Sequence, residues 1–293
     1  MIAGSSRLDA RAIALAILAT AVLGGSYTAG KIALQDLPAF GLLAMRMTVT
    51  AIALGAYAYW INQSLVQRGV GAGYVLAQTA IFSLSQALLF VALGMTSAGR
   101  VAILFNTQPF FTLLLLPLFV PGERLTPRRW LGTGVAFAGV ALVLSERGLG
   151  GASLLGDLLS LVAALCWTGN IVLNKRMPGQ FNAVSMVFWN CAGAIPLFAL
   201  LSVAFESQAP WRFTLPAVAG VLYLGVVAAC LGFVLVAWLT RAYSASRVNV
   251  FVFLSPVFGV LIGWAVLGEA ITLMQGLGAL TVAAGILVVT AEG

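Results

Sequence analysis

The chain has 293 residues, 61% of them hydrophobic and 8% charged, against about 25% charged in an ordinary soluble domain. So few charges could not cover a soluble core, and the formal charge of +7 is scattered along the chain rather than gathered into the patch a nucleic acid would need. Histidine is absent, which excludes zinc–histidine sites and histidine proton relays, and Cys166, Cys191 and Cys230 stand apart in apolar runs with no disulfide or redox motif.

Apolar runs of about 20 residues, enough to cross ~30 Å of hydrocarbon, recur from one end to the other. They predict ten spans: 12–34, 38–60, 73–94, 98–119, 128–145, 153–175, 181–204, 213–240, 246–267 and 273–290. Runs such as Phe110–Leu116 are apolar at consecutive positions, which argues against the alternating strands of a barrel.

Span one follows Arg7 and Arg11 like a signal peptide, but it is long, carries Tyr27, Thr28 and Lys31, and shows no clean small-residue cleavage site. It is expected to be a retained helix. Span two holds Arg46, the one charge well inside a span, where a cation costs roughly 2.5–3.5 kcal/mol on insertion scales. Arg46 is expected either to face the solute pathway and attract a carboxylate or to bond freed backbone carbonyls. Span three supplies Gln78, Ser83, Ser85 and Gln86, and span four supplies Asn106, Gln108 and the mid-span Pro109.

Before span five, Thr126 reads as an N-cap with Pro127 at the first helical position. Span six opens with Asp157, whose carboxylate suits a helix start, and carries Trp167, Thr168 and Asn170. Trp189 and Asn190 lie in span seven, Tyr223 and Trp238 in span eight, and Pro256 in span nine. Before span ten, Thr272 and Gln275 form a capping box. Tyr57, Tyr59, Trp60, Trp130 and Trp211 fall near span ends and fit an interfacial belt.

The chain also contains itself twice. Ser97-Ala98-x-Arg100-Val101 and Pro109 recur as Ser244-Ala245-x-Arg247-Val248 and Pro256, at a constant offset of 147. Gly122-Glu123-x-x-Thr126, Gly132 and Gly139 recur as Gly268-Glu269-x-x-Thr272, Gly278 and Gly285, at an offset of 146. Tyr27-Thr28 answers Trp167-Thr168. Each half has five spans, an odd number, so the second is expected to enter the membrane upside down. The matched loops agree, since the arginines of 124–129 are lost in 270–275. The expected fold is an all-α polytopic membrane protein of ten transmembrane helices in two inverted-topology five-helix repeats, residues 1–146 and 147–293.

On the side of the termini stand Arg7, Arg11, Arg68, Arg124, Arg128, Arg129, Lys175, Arg176, Arg241 and Arg247. On the other stand Lys31, Arg100, Arg147 and Arg212. The positive-inside rule then places both termini in the cytoplasm and the chain in the inner (plasma) membrane.

The small-residue turn, mid-helix proline, Gly-Glu-x-x-Thr loop and glycine-rich last helix, each present twice, resemble the EamA-type transporters of the drug/metabolite transporter superfamily. The likeness is clearest over 98–144 and 245–289. The stretch 89–100 with Asn106-Thr107-Gln108-Pro109 is similar to the branch that exports aromatic amino acids and methyl viologen. The resemblance implies ten helices in inverted halves and export of amino acids, metabolites or drugs.

The matched Pro109 and Pro256 are expected to kink their helices and act as hinges. Glu123 and Glu269, at helix entries, read as structural carboxylates that pair a loop arginine. The seven-residue glycine spacings suit close helix packing, within the chain or between subunits, so a monomer and a homodimer both fit.

The candidate substrate-binding residues are Tyr27, Thr28, Arg46, Gln78, Ser83, Gln86, Asn106, Gln108, Trp167, Asn170, Trp189, Tyr223 and Trp238. They form an aromatic, polar and mostly uncharged lining that suits amphipathic solutes such as aromatic and other neutral amino acids. Aromatic faces also bind quaternary cations, and the same residue types serve as belts and helix-packing groups. No cofactor, metal or catalytic residue is expected. A phosphate loop is absent, so ATP is not the direct driver, and the acidic residues offer no buried proton carrier. A facilitator or weakly coupled exchanger fits best. A channel or receptor is the rival class, and an intramembrane enzyme would lack acid–base groups.

Overall fold

The computed structural model describes residues 10–66, 69–119, 126–145, 153–176, 183–232, 235–236, 238–239, 243, 251 and 254–290. Every described element is helical apart from turns and short connections. In chain order these are α1 (Ala10–Ala33), α2 (Ala39–Trp60), α3 (Ala72–Met95), α4 (Ala98–Phe105), α5 (Gln108–Phe119), α6 (Pro127–Ser145), α7 (Leu154–Arg176), α8 (Ala183–Phe205) and α9 (Leu215–Leu222). A π-helix follows directly (Tyr223–Gly232), then α10 (Ser255–Leu267) and α11 (Leu273–Thr290).

Among the described residues, seven segments are long and apolar enough to cross a membrane, with α4 and α5 counting as one (Ala98–Phe119) and α9 with the π-helix as another (Leu215–Gly232). Three shorter apolar helices, Trp130–Ser145, Ser255–Leu267 and Leu273–Gly285, bring the total to ten. Helices dominate because lipid offers no partner to a backbone N–H or C=O, so each segment satisfies its own.

Helix ends follow local chemistry. Ser97 Oγ accepts from Arg100 N–H at the start of α4, and Thr214 Oγ1 accepts from Ala217 N–H at the start of α9. Thr126 immediately precedes α6, which opens on Pro127. Thr272 Oγ1 accepts from Gln275 N–H at 3.2 Å, so it is the expected N-cap of α11. At the end of α10, Gly268 takes φ +67°, a left-handed position that glycine occupies without strain.

The prolines sit differently from a kink inside a continuous helix. The chain breaks at Asn106–Thr107, and Pro109 is the second residue of the new helix α5. Likewise Pro256 is the second residue of α10, after a turn at Leu254. A first-turn proline loses no intrahelical bond, so each starts a helix after an interruption.

The packing recurs with the halves exchanged. α3 packs on α7 as α1 packs on α9 and the π-helix, and α1 packs on α10 as α7 packs on α4 and α5, while α2–α8 and α6–α11 pair like with like. The glycine faces are internal. A Cβ on Gly139 would lie 2.8 Å from Gly278 O, and one on Gly285 would lie 2.6 Å from Gly132 O, so α6 and α11 meet backbone to backbone. The largest core cluster joins α1, α2, α3, α4, α7, α8, α9 and the π-helix around Leu42, Leu43, Met47, Phe90, Leu93 and Phe198.

A polar network ties the bundle at the end away from Ala10, here called the distal end. Lys31 Nζ donates to Leu93 O and Thr96 O, both at 2.7 Å, closing the C-terminus of α3. Glu206 accepts from the N–H groups of Phe40 and Gly41 at the start of α2. Glu269 accepts from Ala98 N–H (2.8 Å) and Gly99 N–H (3.1 Å) at the start of α4. The expected arginine pairing of Glu269 is thereby corrected: its carboxylate caps a helix of the other half, where the dipole and free N–H groups favour an anion. Glu123 lies outside the described residues.

Arg100 is corrected as well. It is not a loop charge; its side chain is 2% exposed and ion-paired at 2.5 Å with Asp157, also 2% exposed.

Candidate solute site

A cavity of about 270 Å³ lies where the interrupted helix α4/α5 meets α1, α2, α3, α7, α10 and the π-helix. Six of the expected residues converge there: Tyr27, Arg46, Gln86, Asn106, Gln108 and Trp167. Each reaches it for a local reason. Asn106 ends α4 where helical bonding stops, and Gln108 starts α5, so both sit at the break. Tyr27 and Trp167 come from the equivalent helices α1 and α7 and flank Phe105, with ring centroids 6.5 and 6.0 Å from it.

Asn106 Nδ2 donates to the Tyr27 hydroxyl at 3.0 Å and to Ala102 O at 2.7 Å. Arg46 Nη1 donates to Gln86 Oε1 at 3.3 Å, and its Cζ stands 5.2 Å from the centroid of the Phe90 ring. Among the residues lining the cavity Arg46 alone is charged, and among the described residues no carboxylate pairs with it. The site therefore combines four aromatic rings (Tyr27, Phe90, Phe105, Trp167) with one guanidinium. It can take a ring edge-to-face and a carboxylate by charge-assisted hydrogen bonds.

The other expected residues lie elsewhere. Gln78 Nε2 bonds Asn174 Oδ1, and Asn170 Nδ2 donates to Gln78 O, so this group joins α3 to α7 instead of lining the cavity. Thr28 and Ser83 are buried and their hydroxyl oxygens have no partner among the described residues. Thr168, the counterpart of Thr28, donates to Gln108 O or Ala164 O, which steadies the start of α5. The Tyr223 hydroxyl donates to Val22 O at 2.9 Å, behind the wall to which its neighbour Leu224 contributes. Trp189 is 42% and Trp238 51% exposed; Trp189 Nε1 donates to Leu65 O. Both face the outside of the bundle, where an indole fits the membrane surroundings.

Sequence reasoning missed Leu23, Ser26, Leu89, Leu93, Phe90, Phe105, Leu224 and Ser255 as lining residues. Phe90 was within reach of such reasoning, being four residues from Gln86 and on its face. A larger groove of about 520 Å³ lies between α2, α8 and α9, lined by apolar residues and Thr48, whose hydroxyl already bonds Ala44 O. It has no group that would orient a solute.

Ten apolar segments around a small, partly polar chamber define a multi-pass helical membrane protein built to handle a solute. The chain belongs to the EamA-like transporter family, whose profile matches it twice, over residues 10–145 and 154–291. An uncharacterised transporter of Archaeoglobus fulgidus is 31% identical over 289 residues, 95% of this chain and 96% of that one. Two proteins named "Probable amino-acid metabolite efflux pump" are similar over 93% of this chain and 92% of their own length. That of Salmonella typhimurium is 30% identical and that of Escherichia coli K12 is 28% identical. A crystal structure superposes with a TM-score of 0.69 at 20% identity, covering 97% of this chain and 98% of that one, a likeness of fold. The protein is accordingly a membrane transporter and not an enzyme.

Proposed function

We propose that this transporter exports small amphipathic amino acids, aromatic and other neutral ones, by alternating access. The observation that carries the reading is the pairing of Arg46 with four aromatic rings in one cavity. A carboxylate reaches the guanidinium, and the side chain of the solute lies against Tyr27, Phe105 and Trp167. The volume, about 270 Å³, lies just below the ~300–1,000 Å³ typical of small-molecule pockets, which suits one amino acid better than a peptide. The relatives named as amino-acid metabolite efflux pumps point the same way.

In this reading residues 1–146 and 147–293 are inverted halves, both termini are cytoplasmic, and the protein sits in the inner (plasma) membrane. The interruptions before Pro109 and Pro256 are the points about which the halves rock. The distal network of Lys31, Arg100, Asp157 and Glu269 closes one end while the other admits solute.

A second reading, export of quaternary cations or similar drugs, is favoured by the aromatic lining. Arg46 opposes it, since a quaternary cation brings a like charge with no carboxylate to pair the guanidinium. The purified chain in liposomes, offered labelled phenylalanine, leucine and a quaternary ammonium, separates these readings. Saturable uptake and counterflow of the amino acids alone is expected. Saturable flux of the ammonium alone would favour the second reading, and flux without saturation would mean a channel.

A further inference from the structure

We propose that Arg46 is also an inorganic-anion site. Between rounds of transport a chloride ion takes the place of the substrate carboxylate, so that the carrier exchanges an amino acid for a small anion. This rests on the amino-acid reading of the same cavity.

Among the described residues two arginines, Arg46 and Arg100, stand within helices at the distal side of the core, and the protein treats them differently. Arg100, in α4, has Asp157 against Nε and Nη2 and Val143 O against Nη2 at 2.7 Å. Its charge is neutralised within the fold. Arg46, seven residues into α2, has only neutral neighbours among the described residues: a long bond to Gln86 Oε1 and the face of Phe90. A guanidinium has five N–H donors, and Gln86 occupies one of them at 3.3 Å.

A second donor lines the same cavity. The Tyr27 oxygen accepts from Asn106 Nδ2, which leaves the phenolic proton free to donate. Arg46 and Tyr27 therefore offer N–H and O–H donors to the cavity with no anion among the described residues to receive them, an arrangement that fits an anion from outside.

The energetic reason concerns the step in which the cavity is sealed at both ends. An unneutralised cation out of water is costly, so the empty carrier resists closing around Arg46. On the outward leg the substrate carboxylate pairs the guanidinium directly, which lowers that cost. On the return leg a monovalent anion does the same. Net export then requires an anion to be carried back, and a shortage of anion slows the cycle without altering the aromatic part of the site.

Two measurements on the full-length chain test this. The first is the apparent Kd of phenylalanine with chloride present or replaced by a bulky organic anion. Competition for Arg46 raises that Kd about tenfold when chloride is at ten times its own Kd. The second is iodide quenching of Trp167 emission in a variant whose other six tryptophans are phenylalanine. Quenching should saturate, be displaced by phenylalanine, and lose its saturable part on Arg46→Gln. If that variant does not fold, the first measurement still decides. An unchanged Kd together with chloride-independent counterflow would overturn the anion site while leaving the transport reading intact. Saturable, Arg46-dependent quenching with no phenylalanine binding would support the anion site and overturn the amino-acid reading.

Discussion

Asp157 accepts three hydrogen bonds from the Arg100 guanidinium, two from Nε at 3.1 and 3.2 Å and one from Nη2 at 2.5 Å. The pair joins α7 to α4 at the distal end, and Thr96 Oγ1 adds a further bond to the carboxylate at 3.1 Å. Breaking one partner of a buried pair strands the other's charge, typically at ~3–5 kcal/mol, whereas replacing both with apolar groups is far milder. Arg100→Met and Asp157→Leu should therefore each lower the unfolding temperature in detergent strongly. The double variant should recover most of the loss. Additive losses in the double variant would contradict the pairing.

Glu269 caps α4 from the opposite half of the chain. Glu269→Ala should cost about 0.5–2 kcal/mol, the range for a lost N-cap. Amide exchange at Ala98 and Gly99 is the direct readout, and it should accelerate more there than in the middle of α3. Uniform acceleration throughout the protein would point to global destabilisation instead.

The α6–α11 contact makes a paired test possible. A side chain on Gly139 meets Gly278 O and Val282 N at under 3 Å, so Gly139→Val should destabilise by roughly 1–3 kcal/mol, as overpacking does. Gly134 is on the same helix but has nothing within 4 Å of its Cβ position. There Gly134→Ala should be neutral or stabilise by up to ~1 kcal/mol through helix propensity. Thermal unfolding of the two variants side by side checks the sign of each.

Trp167 and Tyr27 flank Phe105 on the cavity wall. If a substrate ring stacks there, Trp167→Ala should weaken phenylalanine relative to alanine by an extra ~0.5–1.5 kcal/mol, the worth of an aromatic pair beyond its buried area. Competition binding with the two amino acids measures that difference. Equal loss for both would mean that the ring does not face Trp167.

Much of the fold is legible in the sequence. The apolar runs follow from hydropathy because a helix needs about 20 mostly apolar residues to cross the hydrocarbon, and among the described residues seven segments meet that need. Arg46 stood out because a mid-span charge needs a purpose, and Tyr27 and Trp167 because the repeat placed them at equivalent depth. Orientation within a helix was harder to read. Gln78 and Asn170 have the right depth but face each other across α3 and α7, and a polar residue's depth alone does not reveal its face. Trp189 and Trp238 show the same ambiguity, since an indole suits a cavity and a lipid surface equally. Arg100 and Asp157 each stand near a helix start, where Asp157 reads as a helix-dipole carboxylate, and only three-dimensional contact joins residues 57 positions apart. The π-helical turn from Tyr223 to Gly232 has no evident pattern in its sequence.

In the proposed transport cycle Arg46 receives the carboxylate of the amino acid. Counterflow of labelled phenylalanine in liposomes, wild type against Arg46→Gln, tests it most directly, with the unfolding temperature measured alongside. Saturable counterflow is expected in the wild type and at least a tenfold loss in the variant, about 1.4 kcal/mol or more, with folding retained. Equal counterflow from both proteins would contradict it.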